Sequence, residues 1–71
     1  MDIFYICEIK CKKTIDRTII KEVDLKMKAL KLPKRTAAKP ILIYVGELYP
    51  PHLTELENYF QQVISFDDLL K

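Results

Sequence analysis

Two continuous apolar runs, Ile3-Phe4-Tyr5-Ile6-Cys7 and Ile41-Leu42-Ile43-Tyr44-Val45, constrain the fold of this 71-residue chain more than any other feature. Both are rich in β-branched and aromatic residues, and neither alternates apolar with polar. Such runs read as strands buried on both faces of a sheet. Between them Ile20, Val23, Met27 and Leu30 recur at spacings of three and four, while Lys21, Glu22, Lys26 and Lys28 fall largely off that stripe. That is the pattern of an amphipathic helix. A strand, a helix and a second strand in this order favour a right-handed crossover and a parallel pair.

The first strand is predicted over Asp2 to Lys10, with Lys12-Lys13-Thr14 breaking it. Asp16 is a suitable N-cap, because its carboxylate accepts backbone N–H groups at a helix start. The helix then runs from about Arg17 to Leu30 and is ended by Pro33, which has no N–H to donate. Lys34 to Lys39 is a short basic loop, Pro40 opens the second strand and Gly46 punctuates it. Pro50-Pro51 starts a second helix with Leu53, Leu56 and Phe60 as its buried positions. Val63 to Phe66 forms a third strand, and a terminal turn holding Leu69 and Leu70 follows Asp67 and Asp68, two acids suited to a helix start. The fold class is α/β, with the order β-α-β-α-β-(α) and a small, largely parallel sheet. Residues 1–71 make one small domain. A central-looking strand at residue 2 with nothing before it gives the sheet an open N-terminal side.

Two cysteines set the redox expectation. Cys7 and Cys11 lie roughly 13 Å apart on a straight strand, too far for a disulfide. The chain accordingly reads as reduced and cytoplasmic, with Cys7 a buried structural thiol. It shows no signal peptide and no apolar run near the ~20 residues of a membrane span. Through Lys39 there are eleven Lys/Arg against five Asp/Glu, whereas from Pro40 onward one Lys faces five acids. A basic half suits a polyanion, and Lys12, Lys13, Arg17, Lys34 and Arg35 are the phosphate-contact candidates. A solvated helix face formed by Lys26, Lys28 and their neighbours is the plainer explanation of the basic half. His52, the one histidine, reads as a surface residue, and Tyr5, Tyr44, Tyr49 and Tyr59 as core or core-edge residues.

Glu8 and Lys10 are the chemically suggestive pair. Residues two apart on a strand share a face. A carboxylate there offers a metal ligand, and an ammonium beside it steadies the charge that develops in phosphodiester hydrolysis. The stretch Tyr5-Ile6-Cys7-Glu8-Ile9-Lys10 resembles the E-x-K half of the PD-(D/E)xK, or restriction-endonuclease-like, superfamily. The whole chain is similar to the C-terminal segment of many prokaryotic AAA-type ATP-binding proteins: an apolar strand ending in Cys-Glu-Ile-Lys, a charged helix, an apolar strand, and Phe66-Asp67-Asp68-Leu69-Leu70 at the end. The resemblance implies a partial nuclease core, with Glu8 and Lys10 as catalytic residues and Glu8 as ligand to Mg²⁺ if a complete site forms. It also implies DNA, an ATPase domain or a second copy paired through the first strand as partners.

The aspartate that completes such a core lies on a neighbouring hairpin strand, and Asp2, the only acid before Glu8, is about 20 Å away along its own strand. No Walker phosphate loop is present. The expectation is therefore a nuclease-like module, the C-terminal part of such a domain, that binds DNA or docks to a partner without catalysing on its own. The alternatives are an active metal-dependent nuclease completed by another segment or chain, and a protein-interaction domain pairing through its open strand edge.

Overall fold

The computed structural model describes residues 2–70. Three strands, β1 (Asp2–Ile15), β2 (Thr36–Leu48) and β3 (Gln62–Ser65), form one parallel sheet in the order β1-β2-β3. Helix α1 (Thr18–Ala29) joins the first two strands. A 3₁₀ turn at Pro50–His52 leads into α2 (Leu53–Tyr59), which joins β2 to β3, and α3 (Phe66–Leu69) closes the chain. The α/β class and the element order match the sequence reading.

Both crossovers run to the same side. Ile19 and Val23 of α1, Leu56 of α2, Phe60, and Leu42 and Ile15 of the sheet are packed into one buried cluster, so α1 and α2 share one sheet face. The other face is open. Ile3, Tyr5, Cys7, Ile9 and Cys11 of β1 point that way and are all exposed, Ile9 at 68%. This corrects the expectation that β1 is buried on both sides, and with it the assignment of Cys7 as a buried thiol and Tyr5 as a core residue. Parallel sheets are ordinarily covered on both faces, so this one is half dressed.

The first strand also runs further than its composition suggests. After Cys11 pairs with Val45, the next pair is Thr14 with Glu47, so Lys12-Lys13 oppose the single residue Gly46. This β-bulge turns an apparent strand terminator into a change of face. Ile15 carries an odd number and would point to the open side of an unbroken strand; the extra residue swings it into the core at 1% exposure. Gly46 adopts φ +122°, and a side chain there would overlap the Lys12 carbonyl oxygen.

The first helix starts at Thr18 with Arg17 in the cap position, one residue later than expected, yet Asp16 still serves its first turn. The Asp16 carboxylate accepts the Thr18 N–H at 2.9 Å and the Thr18 hydroxyl at 2.6 Å. Those bonds favour the charged form and hold its pKa below the ordinary value. The buried stripe is Ile19 and Val23, with Ile20 and Met27 partly covered and Leu30 exposed. Leu53 is likewise exposed, and of the predicted α2 positions only Leu56 and Phe60 are buried.

Pro40 lies within central β2 yet leaves no ladder donor missing. Its carbonyl accepts the Gln61 N–H at 2.7 Å, so its nitrogen faces the β3 side, just short of the point where β3 begins opposite Ile41.

Candidate functional site

Glu8 and Lys10 project from the covered face of β1 toward α1. They lie mid-strand, five or more residues before its end, because the strand continues to Ile15. Glu8 Oε1 accepts from Lys26 Nζ at 2.8 Å, and Lys10 Nζ donates to Glu22 Oε2 at 2.8 Å. The spacing explains the match: two strand residues advance about 6.6 Å and four helix residues about 6.0 Å, so the two ladders keep step. Glu8 is 15% exposed at its side chain and Lys10 27%, which makes these half-covered ion pairs bracing α1 against β1. Hydrogen bonding to Glu22, reinforced by the Glu22 and Glu8 charges, raises the Lys10 pKa. Lys10 in turn lowers that of Glu22. Sequence reasoning singled out the strand half of this cluster and passed over Glu22 and Lys26. Their separation of four residues, equal in rise to the two between Glu8 and Lys10, was the available signal.

A divalent cation does not fit this cluster. Glu8 is flanked by two ammonium groups, Lys10 and Lys26, and its Oε1 is already held by the latter. Hard cations such as Mg²⁺ need several carboxylate, carbonyl or water oxygens. Among the described residues no group of three or more His, Cys, Asp or Glu side chains converges for a metal. Asp2 opens β1 opposite Thr36, and six residues of extended chain keep its carboxylate about 20 Å from that of Glu8.

The proposed phosphate contacts do not form one patch. Lys12 and Lys13 sit on the bulge, and Arg17 immediately precedes α1 nearby, its guanidinium on Glu55 at 3.3 Å. Lys34 and Arg35 lie at the other end of the sheet, where the Arg35 carbonyl receives the Asp2 N–H. About ten strand residues, or roughly 33 Å, separate the two groups. The first group borders a shallow depression of about 220 Å³ lined by Arg17, Thr18, Ile20, Lys21 and Glu55.

His52, expected as a surface residue, is half-buried and also has a structural task. Its Nδ1 accepts the Arg17 N–H at 3.2 Å and its ring stands edge-on to Tyr49 at 4.6 Å. Tyr49 N–H in turn reaches the Ile15 carbonyl at 2.7 Å. The 3₁₀ turn is thereby tied to the β1–α1 junction.

The outer edge of β1 is a margin of the sheet. The Asp2 N–H points inward, to Arg35 of the β2 side. Backbone groups alternate along a strand, so the N–H and C=O of Ile3, Tyr5, Cys7, Ile9 and Cys11 point outward, where the sheet has no further strand among the described residues. Among the described residues no helix is long and apolar enough to cross a membrane. No family model, curated protein or solved structure matches the chain.

Proposed function

We propose that this chain is a nuclease-like module that works by docking to a protein partner through β1, and not by hydrolysis. The observation that carries this reading is the outer edge of β1, which presents unpaired backbone groups beside exposed Ile3, Tyr5 and Ile9. A long apolar edge is a template for a further strand. Glu8 and Lys10 support the non-catalytic half of the proposal, since each spends its charge on α1. Their kinship with an E-x-K nuclease strand remains part of the proposal, as does an ATP-binding protein as the parent or partner.

Two measurements test it. Labelled single- and double-stranded oligonucleotides incubated with the chain and Mg²⁺ or Mn²⁺ are expected to stay intact. Fragments whose release is lost in Glu8→Ala would overturn the non-catalytic reading. A photo-reactive residue placed in living cells at Ile9, on the free edge, is expected to capture protein adducts that one placed at exposed Glu57 on α2 does not. Equal capture at both positions, or none at Ile9, removes the docking reading.

A further inference from the structure

The outer edge of β1 is self-complementary, and we infer that its partner strand is β1 of a second copy, antiparallel, with the two-fold axis at Ile9. This inference rests on the docking reading of β1 and names the occupant.

The geometry follows from the two ion pairs. Glu8 stands level with Lys26 and Lys10 level with Glu22, so Ile9 is level with the middle of that helix segment, at Asp24. Glu22 and Lys26 mark the flank of α1 that faces the free edge, whereas Asp24 marks the opposite flank, receiving the Tyr59 hydroxyl of α2 at 3.3 Å. Leu25 follows Glu22 by three residues and lies on the same side of α1, turned further from the sheet because it is two residues from buried Val23. It is 71% exposed, matching Ile9 on the other side of the sheet at 68%. Two of the most exposed large apolar side chains thus stand level with the same point of the free edge, one on each side of the molecule.

A two-fold axis perpendicular to the sheet at Ile9 pairs like with unlike throughout. Ile9 faces Ile9 of the second copy, Glu8 faces its Lys10, and Cys7 faces its Cys11. One layer above, each α1 packs between its own β1 and β2 and so sits about half a strand spacing inside β1, which sets the two helices about 10 Å apart, an ordinary packing distance. There Leu25 meets Leu25 of the second copy, and Glu22 comes level with its Lys26. Other placements lose this match. An axis at Glu8 sets two carboxylates face to face, and one at Lys10 sets two ammonium groups face to face. An axis at Cys7 puts Glu8 opposite Ile6 and Lys10 opposite Phe4. The outward-pointing residues Cys7, Ile9 and Cys11 supply the paired backbone groups, about six hydrogen bonds across the axis. The bulge at Lys12-Lys13 ends the pairing. So short an interface sets a dimer of modest affinity, in the micromolar to millimolar range.

The cysteines report the register. Both are free and exposed. Hydrogen-bonded antiparallel partners have Cα atoms about 5.5 Å apart, within disulfide reach. Cys7→Ser and Cys11→Ser proteins, oxidised separately with diamide, are expected to stay uncrosslinked, whereas their mixture forms one disulfide from Cys7 to Cys11. Sedimentation equilibrium of the parent, from about 10 µM to about 1 mM, is expected to show monomer and dimer. Ile9→Lys and Leu25→Lys, both at exposed positions, are each expected to raise the dissociation constant at least about tenfold with unchanged circular dichroism. Self-crosslinking of Cys11→Ser overturns the inference, because it places the axis at Cys7. A parent that stays monomeric at about 1 mM and gives no crosslink in the mixture also overturns it. In that case photo-capture of a different protein at Ile9 leaves the docking reading standing, and its absence removes both.

Discussion

Replacing Gly46 with alanine should be among the most damaging single substitutions in this protein, and the reason lies 34 residues earlier at Lys12. The residue at 46 holds φ +122°, a region in which an L side chain is strained by about 1–3 kcal/mol. The new Cβ would overlap the Lys12 carbonyl oxygen and lie 3.3 Å from that of Lys13. Both are backbone atoms, unable to swing aside, so the bulge itself must move, at about 1–3 kcal/mol by the experience of overpacked sites. The chain could instead abandon the bulge. It would then turn Ile15 out of the core, forfeiting about 1.5–3 kcal/mol of burial, and would leave φ at Gly46 to be rebuilt. Either route costs at least about 2 kcal/mol, from a domain whose size allows a total of about 4–10 kcal/mol. Thermal unfolding followed by circular dichroism should show a midpoint lowered by at least about 8 °C. The D-alanine counterpart, accessible by total synthesis in a chain this short, relieves the φ strain and should recover part of the loss. A Gly46→Ala protein within about 0.5 kcal/mol of the parent in urea unfolding would refute the argument that the bulge depends on glycine.

His52→Ala removes the acceptor of the Arg17 N–H at a partly covered position and should cost about 1 kcal/mol, read as a lower urea midpoint; Asn or Gln at this site restores an acceptor and should recover some of it. Acid should destabilise the fold through Glu22 and Asp24, whose carboxyls are held low by hydrogen bonds from Lys10 and Lys28 respectively, and through Asp16 at its cap. Their folded pKa values lie below the unfolded ones, so their contribution is complete above the ordinary carboxylate range of about 4 and is lost as pH falls below it. Unfolding free energies at a series of pH values should be level from neutrality down to about pH 5 and then decline, and a flat profile to pH 2.5, itself about 1.5 units below the ordinary range, would contradict the assignment.

The element order was legible because hydrophobic period and proline position are local signals. The alternation of strand runs with the Ile20–Val23–Met27 stripe, closed by Pro33, leaves few other foldings of this chain. What escaped local reading was relational. Lys12-Lys13 has the composition of a turn, and only its pairing with Gly46 makes it a bulge within a longer strand. The apolar residues on both sides of β1 predict two covered faces, whereas the two crossovers put α1 and α2 on one. At the candidate site the face shared by Glu8 and Lys10 was readable from their spacing. The identity of their partners was not, because it depends on how far α1 slides along β1, which the packing of Ile19 and Val23 against Leu42 fixes.

Pro40 sets a limit on how such a sheet can grow. The lower half of β2, from Thr36 to Pro40, extends below β3 and would otherwise offer a second row of bonding groups on that side. Pro40 deletes a donor from that row, and β3 itself is only four residues long before α3 turns away. Such short, proline-interrupted margins resist strand addition. The sheet therefore has one sticky margin and one inert one. In the pair proposed above the second β1 lies along the whole margin and leaves no room there for another strand, so assembly would halt at a closed pair instead of propagating into a fibre.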